Sequence, residues 1–221
     1  MLKTENTPDE FVLVEAENLS YADEFMQHEP QNWRQEQAKS LIGEAISSGV
    51  KNFYKPKCDP SITSDGKGII FKPGKIPAVS KSFKWWNKMA KKYNPERSSR
   101  LGTRLEYGAF LGVLIKQLIA EGNAVEWAWN AVCNNSSELG NYWNSEKVAH
   151  VIEPTGSREI CGFFDLANVY KILAKNEGSR WFALAGGSCV DYSHVAPIAH
   201  VCYSNAANQI YNCGVGWIVC S

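Results

Sequence analysis

The sequence predicts an α+β fold with an irregular, loop-rich second half. Three stretches before residue 121 carry apolar residues at the spacing of an amphipathic helix. Beyond Gly122, short apolar runs are broken by frequent turn residues and by many Trp, Asn and Ser residues. This arrangement differs from the regular alternation of strands and helices that parallel βαβ units require. At 221 residues, the chain is long enough to bury one sizeable core.

The N-terminal third is predicted to hold two short strands and one helix. Residues Phe11 to Val14 form an apolar run typical of a short strand. Residues Trp33 to Ser48 have helical apolar spacing, and Gly49 is expected to end that helix. A loop region rich in Pro and Gly follows, and it surrounds a predicted strand at residues 69–71.

Two further helices are predicted before Gly122. After Pro77, a helix is expected to begin with Ser80 or Ser82 as its N-cap, and Asn94 followed by a proline should end it. The third helix covers roughly residues 104–120, where apolar side chains supply a buried stripe.

The formal net charge is zero, but the charged residues are unevenly distributed. Residues 1–50 carry ten acidic side chains against three basic ones, whereas residues 51–104 carry fourteen basic side chains against three acidic ones. We expect residues 1–50 to be an acidic segment for attachment or oligomerisation, and the two regions could attract each other. The basic residues form no aromatic-interleaved repeat, so a solvated or intersubunit face is favoured over a nucleic-acid partner.

The cysteines and the hydropathy exclude several classes of protein. The seven cysteines are odd in number and include no C-x-x-C pair, which argues against a zinc ribbon and against a complete disulfide framework. Buried thiols are therefore expected. No apolar run approaches the length of a membrane span, and the first residues do not resemble a signal peptide, so we expect neither membrane insertion nor secretion.

The segment from Val190 to Cys213 carries the strongest functional signal. It contains no Lys, Arg, Glu, Met or Trp, and Asp191 is its only formal charge. Surface loops are normally rich in Lys and Glu, so a loop of Tyr, Ser, Asn and His resembles an antibody-like contact surface. A Gly-Gly-Ser turn at 186–188 opens the segment and an apolar strand at 215–219 closes it. A buried hairpin is the alternative interpretation.

Four fragments between residues 69 and 221 carry a family resemblance through their order and spacing. They are 76–79 before the Trp85-Trp86 pair, 100–110, 162–170 and 181–219. Together they resemble the formylglycine-generating-enzyme (sulfatase-modifying factor) superfamily. The resemblance implies a C-type-lectin-like fold for residues 51–221. Gly102 replaces a proline of the family signature, and Trp217 replaces a phenylalanine.

Two enzyme classes of this superfamily need residues that the chain does not present. The copper-dependent formylglycine generators use two cysteines close after the Gly-Gly-Ser turn, whereas here Cys202 follows Cys189 by thirteen residues. The iron sulfoxide synthases use a histidine cluster, and none of the four histidines stands in an H-x-x-x-H-x-E pattern. We therefore expect no catalysis, although a Cys-His pair from His200 and Cys202 or from Cys189 and His194 stays open.

The resemblance extends to the variable proteins of diversity-generating retroelements, which are commonly phage receptor-binding proteins or bacterial surface ligand-binders. Their loop is diversified at adenines, mostly in Asn codons, a process that never yields Lys, Glu, Gln, Met or Trp. Between Val190 and Cys213, only Gln209 belongs to those five types. The resemblance thus implies a binding loop at residues 189–213. The expected contacts are Val190, Asp191, Tyr192, His194, Tyr203, Asn205, Asn208 and Tyr211.

The implied partner is a host-surface or other protein receptor, and a homo-oligomer is compatible with the acidic segment. The implied location is a virion, as part of a phage tail, or the bacterial cytoplasm before assembly. No cofactor is expected. Calcium sites of the family match here only at Asp165 and Asn168, where a hairpin role is an equal alternative. Two other functions stay open: an oxidase-like enzyme with an altered or lost active site, and a structural virion subunit.

The frame around the binding loop is expected to be scaffold rather than contact surface. The residues assigned to it are Trp181, Gly186, Gly187, Gly216 and Trp217. Both tryptophans should be largely buried.

Overall fold

The structure is a computed structural model. It describes residues 10–134, 139, 152, 154–156, 158–164, 166, 169–175, 182–186, 199, 201–204, 210–211 and 214–221, and of residues 202–204 and 210–211 it describes the backbone alone. Within these residues the fold is α+β, with helices concentrated before residue 134 and short strands throughout. The predicted fold class is confirmed at this level.

Side-chain caps define where the three long helices begin. The helices are α1 (Glu24–Gln27), α2 (Trp33–Ser47), α3 (Phe83–Tyr93), α4 (Arg104–Ala120) and α5 (Val125–Cys133). The Asn32 side chain accepts hydrogen bonds from two backbone N–H groups at the start of α2. Ser82 caps α3, and Thr103 forms a reciprocal capping box with Glu106 at the start of α4. Such caps satisfy backbone donors that the first helical turn leaves unpaired.

The three predicted helices are confirmed within about one residue at their ends, apart from the choice of cap before α3. Ser82 caps that helix, whereas Ser80 has a φ of 61° and precedes the strand before it. Helix α5 contradicts the irregular region expected beyond Gly122. It was missed because its nine residues span fewer positions than a helical apolar pattern needs to be recognised, and turn-forming residues flank them.

The strands are short and pair mostly in twos. They are β1 (Phe11–Val14), β2 (Phe53–Pro56), β3 (Ser61–Ile62), β4 (Ile69–Ile70), β5 (Lys81–Ser82), β6 (Arg100–Leu101), β7 (Glu159–Ile160), β8 (Phe163–Phe164), β9 (Tyr170–Lys175), β10 (Phe182–Ala185), β11 (Val201–Ser204), β12 (Ile210–Tyr211), β13 (Gly214–Gly216) and β14 (Ile218–Val219). One sheet has four strands in the order β11-β10-β9-β13. In it, β10 is antiparallel to both β9 and β11, and β13 is parallel to β9.

The core crosses residue 50, where the sequence placed a domain boundary. Strand β1 pairs with β2, and α2 packs along α4. Gly108 permits this close approach, since a Cβ there would stand 2.7 Å from the backbone oxygen of Leu41. Side chains from both sides of residue 50 belong to one buried cluster. Residues 10–50 are therefore part of the folded unit, while a role of residues 1–50 in attachment or oligomerisation stays a prediction.

Two ion pairs join the acidic segment to the basic region. Glu44 makes two hydrogen bonds to the Arg104 guanidinium, at 2.5 and 3.0 Å, and Glu17 pairs with Lys51 at 2.8 Å. Because exposed ion pairs contribute little stability, packing rather than charge holds this segment in place. Among the described residues, no helix is long and apolar enough to cross a membrane.

Candidate functional site

Strand β9 holds both ends of the segment that contains the binding loop. Ala185, at the end of β10, pairs with Lys171 from one side. Val215, in β13, pairs with Lys171 from the other side. Because neighbouring strands lie about 4.8 Å apart, the two ends stand roughly 10 Å from each other. The segment thus begins and ends at the same end of the sheet, which we call the loop base, and β11 within the segment pairs along β10.

A buried ion pair fixes the loop base to the rest of the core. The Lys171 ammonium lies 2.7 and 2.6 Å from the two carboxylate oxygens of Asp59, and both residues are buried. Asp59 lies between β2 and β3, so the pair ties the centre of the four-stranded sheet to the N-terminal half of the chain. Desolvated charges persist only with good geometry, and losing one partner typically costs about 3–5 kcal/mol.

Lys55 places a second buried amine beside this pair. Its Nζ donates to the Pro56 carbonyl at 3.0 Å and lies 4.6 Å from the centre of the Phe163 ring. Burial lowers the pKa of Lys55 to about 7, an effect that Asp59 opposes and Lys171 reinforces. Since only 4% of Lys55 is exposed, a structural role fits it better than a catalytic one.

Sequence reasoning missed these three charged residues. The one available signal was a lysine, Lys171, near the start of the apolar strand β9, and nothing in the sequence indicated Asp59 as its partner.

The frame residues at the C-terminal end of the loop segment are tightly packed, with glycines lying directly against tryptophan rings. Trp217 is 3% exposed and packs against Phe53 and Tyr107, with ring centres 5.9 and 5.2 Å away. A Cβ at Gly102 would overlap the Trp217 ring, and one at Gly216 would stand 2.7 Å from Trp86. The scaffold role expected for Trp217 and Gly216 is therefore confirmed.

Gly186 follows β10 with a φ of 79°, a conformation that favours glycine and fits the predicted turn. The other two frame residues, Trp181 and Gly187, lie outside the described residues.

Between its two ends, the loop segment is attached to the rest of the fold at two further points. The backbone N–H of Ala199 donates to the Val132 carbonyl near the end of α5, at 3.3 Å. Strand β12 pairs with β5, where Tyr211 lies opposite Lys81. Together with β11 on β10, these contacts tie the binding loop to three different elements.

A groove of about 520 Å³ lies beside β5, next to the attachment of β12. Its lining combines the exposed side chains of Ile62 and Ile76 with the cationic Lys75 and Lys81. The surface beside this attachment is therefore mixed apolar and basic.

The expected contact residues fall mostly outside the described part of the chain. Tyr203 lies in β11 opposite Ala183, and Tyr211 lies in β12, each with its backbone alone described. Outside the described residues lie Val190, Asp191, Tyr192, His194, Asn205 and Asn208. The same applies to the calcium candidates Asp165 and Asn168 and to Cys189. Their roles stay predictions.

The described thiols are buried. Cys58, Cys133, Cys161 and Cys220 are buried and take part in no disulfide, as expected from the sequence. Burial raises the pKa of Cys133 and Cys161 to about 12 and that of Cys220 to about 11. Because the thiolate is the nucleophile and metal ligand, Cys133, Cys161 and Cys220 are chemically inert near neutral pH. Within the described residues, no three His, Cys, Asp or Glu side chains form a metal-binding group.

Comparisons with known proteins show loose structural likeness alone. No protein-family model and no curated protein matches the chain. A crystal structure of CarF shares 15% identity at a TM-score of 0.43, covering 84% of this chain and 82% of CarF. A structure of PvdO from Pseudomonas aeruginosa shares 12% identity at a TM-score of 0.46, covering 84% of this chain and 77% of PvdO. At these values, neither likeness carries a statement about function.

Proposed function

We propose that this chain is a ligand-binding protein that presents residues 189–213 as a contact surface, with a host-surface or other protein receptor as partner. The loop base is the observation that carries the proposal. Both ends of the segment are fixed beside Lys171, at one end of a packed sheet. A scaffold that holds a loop in this way lowers the ordering cost of binding.

The composition of the loop supports the same proposal. Tyr offers a large contact area at low cost in side-chain entropy, and Ser and Asn provide adaptable hydrogen bonds. Val190 to Cys213 is rich in these residue types and carries one formal charge, at Asp191.

The proposed scaffold is C-type lectin-like and related to the formylglycine-generating-enzyme superfamily. Two observations support this proposal. The four sequence fragments follow the order found in the family, and two residues that differ from the family pattern, Gly102 and Trp217, contact each other. Gly102 supplies the space that the Trp217 ring occupies, so the loss of a proline and the gain of a larger ring compensate each other. The finer proposal is a diversified phage or surface binder, which rests on the near-absence of five residue types from the loop.

The first test separates display from folding. Alanine at Tyr192, His194, Tyr203, Asn205 and Tyr211 together should leave cooperative unfolding intact, since exposed substitutions usually change stability by about 0.5 kcal/mol each. Alanine at five exposed helical positions, Gln37, Lys84, Lys88, Lys91 and Gln117, provides the matched control. Urea denaturation measures both variants. If the loop variant unfolds while the control does not, the loop is part of the core and the proposal is wrong.

The second test measures binding capacity directly. Two yeast-displayed libraries, one randomised at the five loop positions and one at the five helical positions, are selected against the same purified protein, hen lysozyme. The loop library should yield lysozyme binders and the helix library should not, because the proposal places the five loop residues on one contiguous surface. Failure of the loop library, with its members still folded, would show that the positions do not form one.

A further inference from the structure

A groove of about 420 Å³ lies between the first turn of α2 and helix α5. Its size falls within the usual range for small-ligand sites. Its lining is unusual in chemistry, because five of its side chains are amides and one is an exposed tryptophan. These six residues are Gln31, Asn32, Gln35, Asn130, Asn134 and Trp127.

Gln35 is a buried donor in this groove. The side chain is 2% exposed, and its Oε1 accepts from the backbone N–H of Gln31 at 2.7 Å. Its Nε2 has no hydrogen-bond partner among the described residues. Because Gln35 lines the groove, this amide nitrogen can donate to a ligand oxygen there. Asn32 is arranged similarly, with its Oδ1 engaged by the backbone N–H groups of Arg34 and Gln35.

Helix α5 supplies the opposite wall. Trp127, Asn130 and Asn134 are three and seven residues apart, so they share one face of the helix. Trp127 is 39% exposed. Asn134 donates from Nδ2 to Asn130 Oδ1 at 2.8 Å, which leaves the Asn134 oxygen and the Asn130 amide hydrogens facing no other described partner. This wall therefore offers an aromatic surface, an acceptor and a donor.

We infer that this groove binds a neutral carbohydrate. Amide side chains donate and accept, which matches the paired requirements of neighbouring sugar hydroxyls. An exposed indole presents a flat apolar surface to the C–H face of a pyranose ring. Among the described residues that line the groove, Glu126 is the one charged side chain and none is Lys or Arg, so the electrostatics of this lining disfavour sulfated or phosphorylated ligands.

The test uses the full chain and a panel of four neutral tetrasaccharides, built from glucose, mannose, galactose or N-acetylglucosamine. Saturation-transfer NMR identifies binders, and titration calorimetry measures their affinity. At least one tetrasaccharide should bind, and Trp127→Ala should weaken its binding by about tenfold or more, as expected for an aromatic anchor. Trp33→Ala is the matched control, because Trp33 is 57% exposed and does not line the groove.

A second variant guards against a misfolding artefact. Asn130→Ala with Asn134→Ala removes two polar groups, one exposed and one half-buried, at the end of α5, and should keep the melting temperature while weakening the binding of the same tetrasaccharide severalfold. The inference is overturned if no tetrasaccharide binds or if Trp33→Ala weakens binding as much as Trp127→Ala. None of these results depends on the binding loop, so the proposed function is tested separately.

Discussion

Lys55 illustrates how burial changes the chemistry of a single residue. Its amine lies within the core, close to the Phe163 ring and to the Asp59–Lys171 ion pair. Burial disfavours the charged form and lowers the pKa of Lys55 to about 7. In the unfolded chain, the same amine would titrate near its ordinary value of about 10.4. The native and unfolded states therefore bind different numbers of protons between these two pH values.

We expect Lys55 to make stability rise with pH in that window. Between about pH 7 and pH 10 the unfolded chain holds the Lys55 proton and the native chain does not, so raising the pH favours the native state. This contribution of Lys55 to stability is complete above the unfolded pKa, decreases as the pH falls from about 10 to about 7, and is absent below the folded pKa. Urea denaturation of wild type and Lys55→Met, from pH 6 to pH 10, measures it as the difference in unfolding free energy.

The unfolding free energy of wild type minus that of Lys55→Met should increase by up to about 1.4 kcal/mol for each pH unit in this range. The comparison between the two proteins cancels the titration of other groups, including the buried thiols. The exposed Lys84→Met serves as the control and should show no such trend. A flat difference for Lys55→Met would mean that the Lys55 amine stays charged in the native protein.

The junction of β13 and β14 shows how a single ring joins several elements. The Trp217 backbone donates to Ile172 of β9 at 3.0 Å, and its carbonyl accepts from Gly102 at 2.8 Å. Its ring packs against Phe53 of β2 and Tyr107 of α4. The closing strand of the loop base is therefore held by side-chain packing as well as by the sheet.

Trp217→Ala should lower the free energy of unfolding by about 3–5 kcal/mol, the usual cost of truncating a buried aromatic residue. Trp217→Phe should cost less, because a phenyl ring fills part of the same space. Trp127→Ala, at an exposed position, should change stability by no more than about 0.5 kcal/mol. Urea denaturation distinguishes the three. Unchanged stability in Trp217→Ala would contradict the assignment of Trp217 to the frame.

At the scale of the whole molecule, residues 10–50 are part of the core. The Trp129 indole of α5 donates to the Phe25 carbonyl at 3.0 Å, and Leu41 and Ile42 of α2 are buried in the same cluster as Trp217. Removing this segment would expose the apolar face of α4 that α2 covers.

A fragment of residues 51–221 should therefore lack cooperative thermal unfolding and a near-ultraviolet circular dichroism signal. Adding a peptide of residues 10–50 should restore the signal, since the missing contacts lie in that segment. A sharp, cooperative transition in the fragment alone would instead support an independent binding domain beginning at residue 51.

Local sequence patterns by themselves determined the long helices. Apolar spacing acts within one or two turns, so it predicted α2, α3 and α4 closely, and Ser82 was one of the two caps expected before α3. The structure added Asn32 and Thr103 as the caps of α2 and α4. The apolar end of the chain also indicated correctly that Trp217 is buried.

Only the tertiary structure decided the rest. It brought Asp59 and Lys171 together across 112 positions and placed both ends of the loop segment beside Lys171. It also made residues 10–50 part of one core, and it turned a stretch without an evident pattern into α5. Such pairings depend on which surfaces meet after the chain folds back on itself, and that information does not reside in the spacing of neighbouring residues.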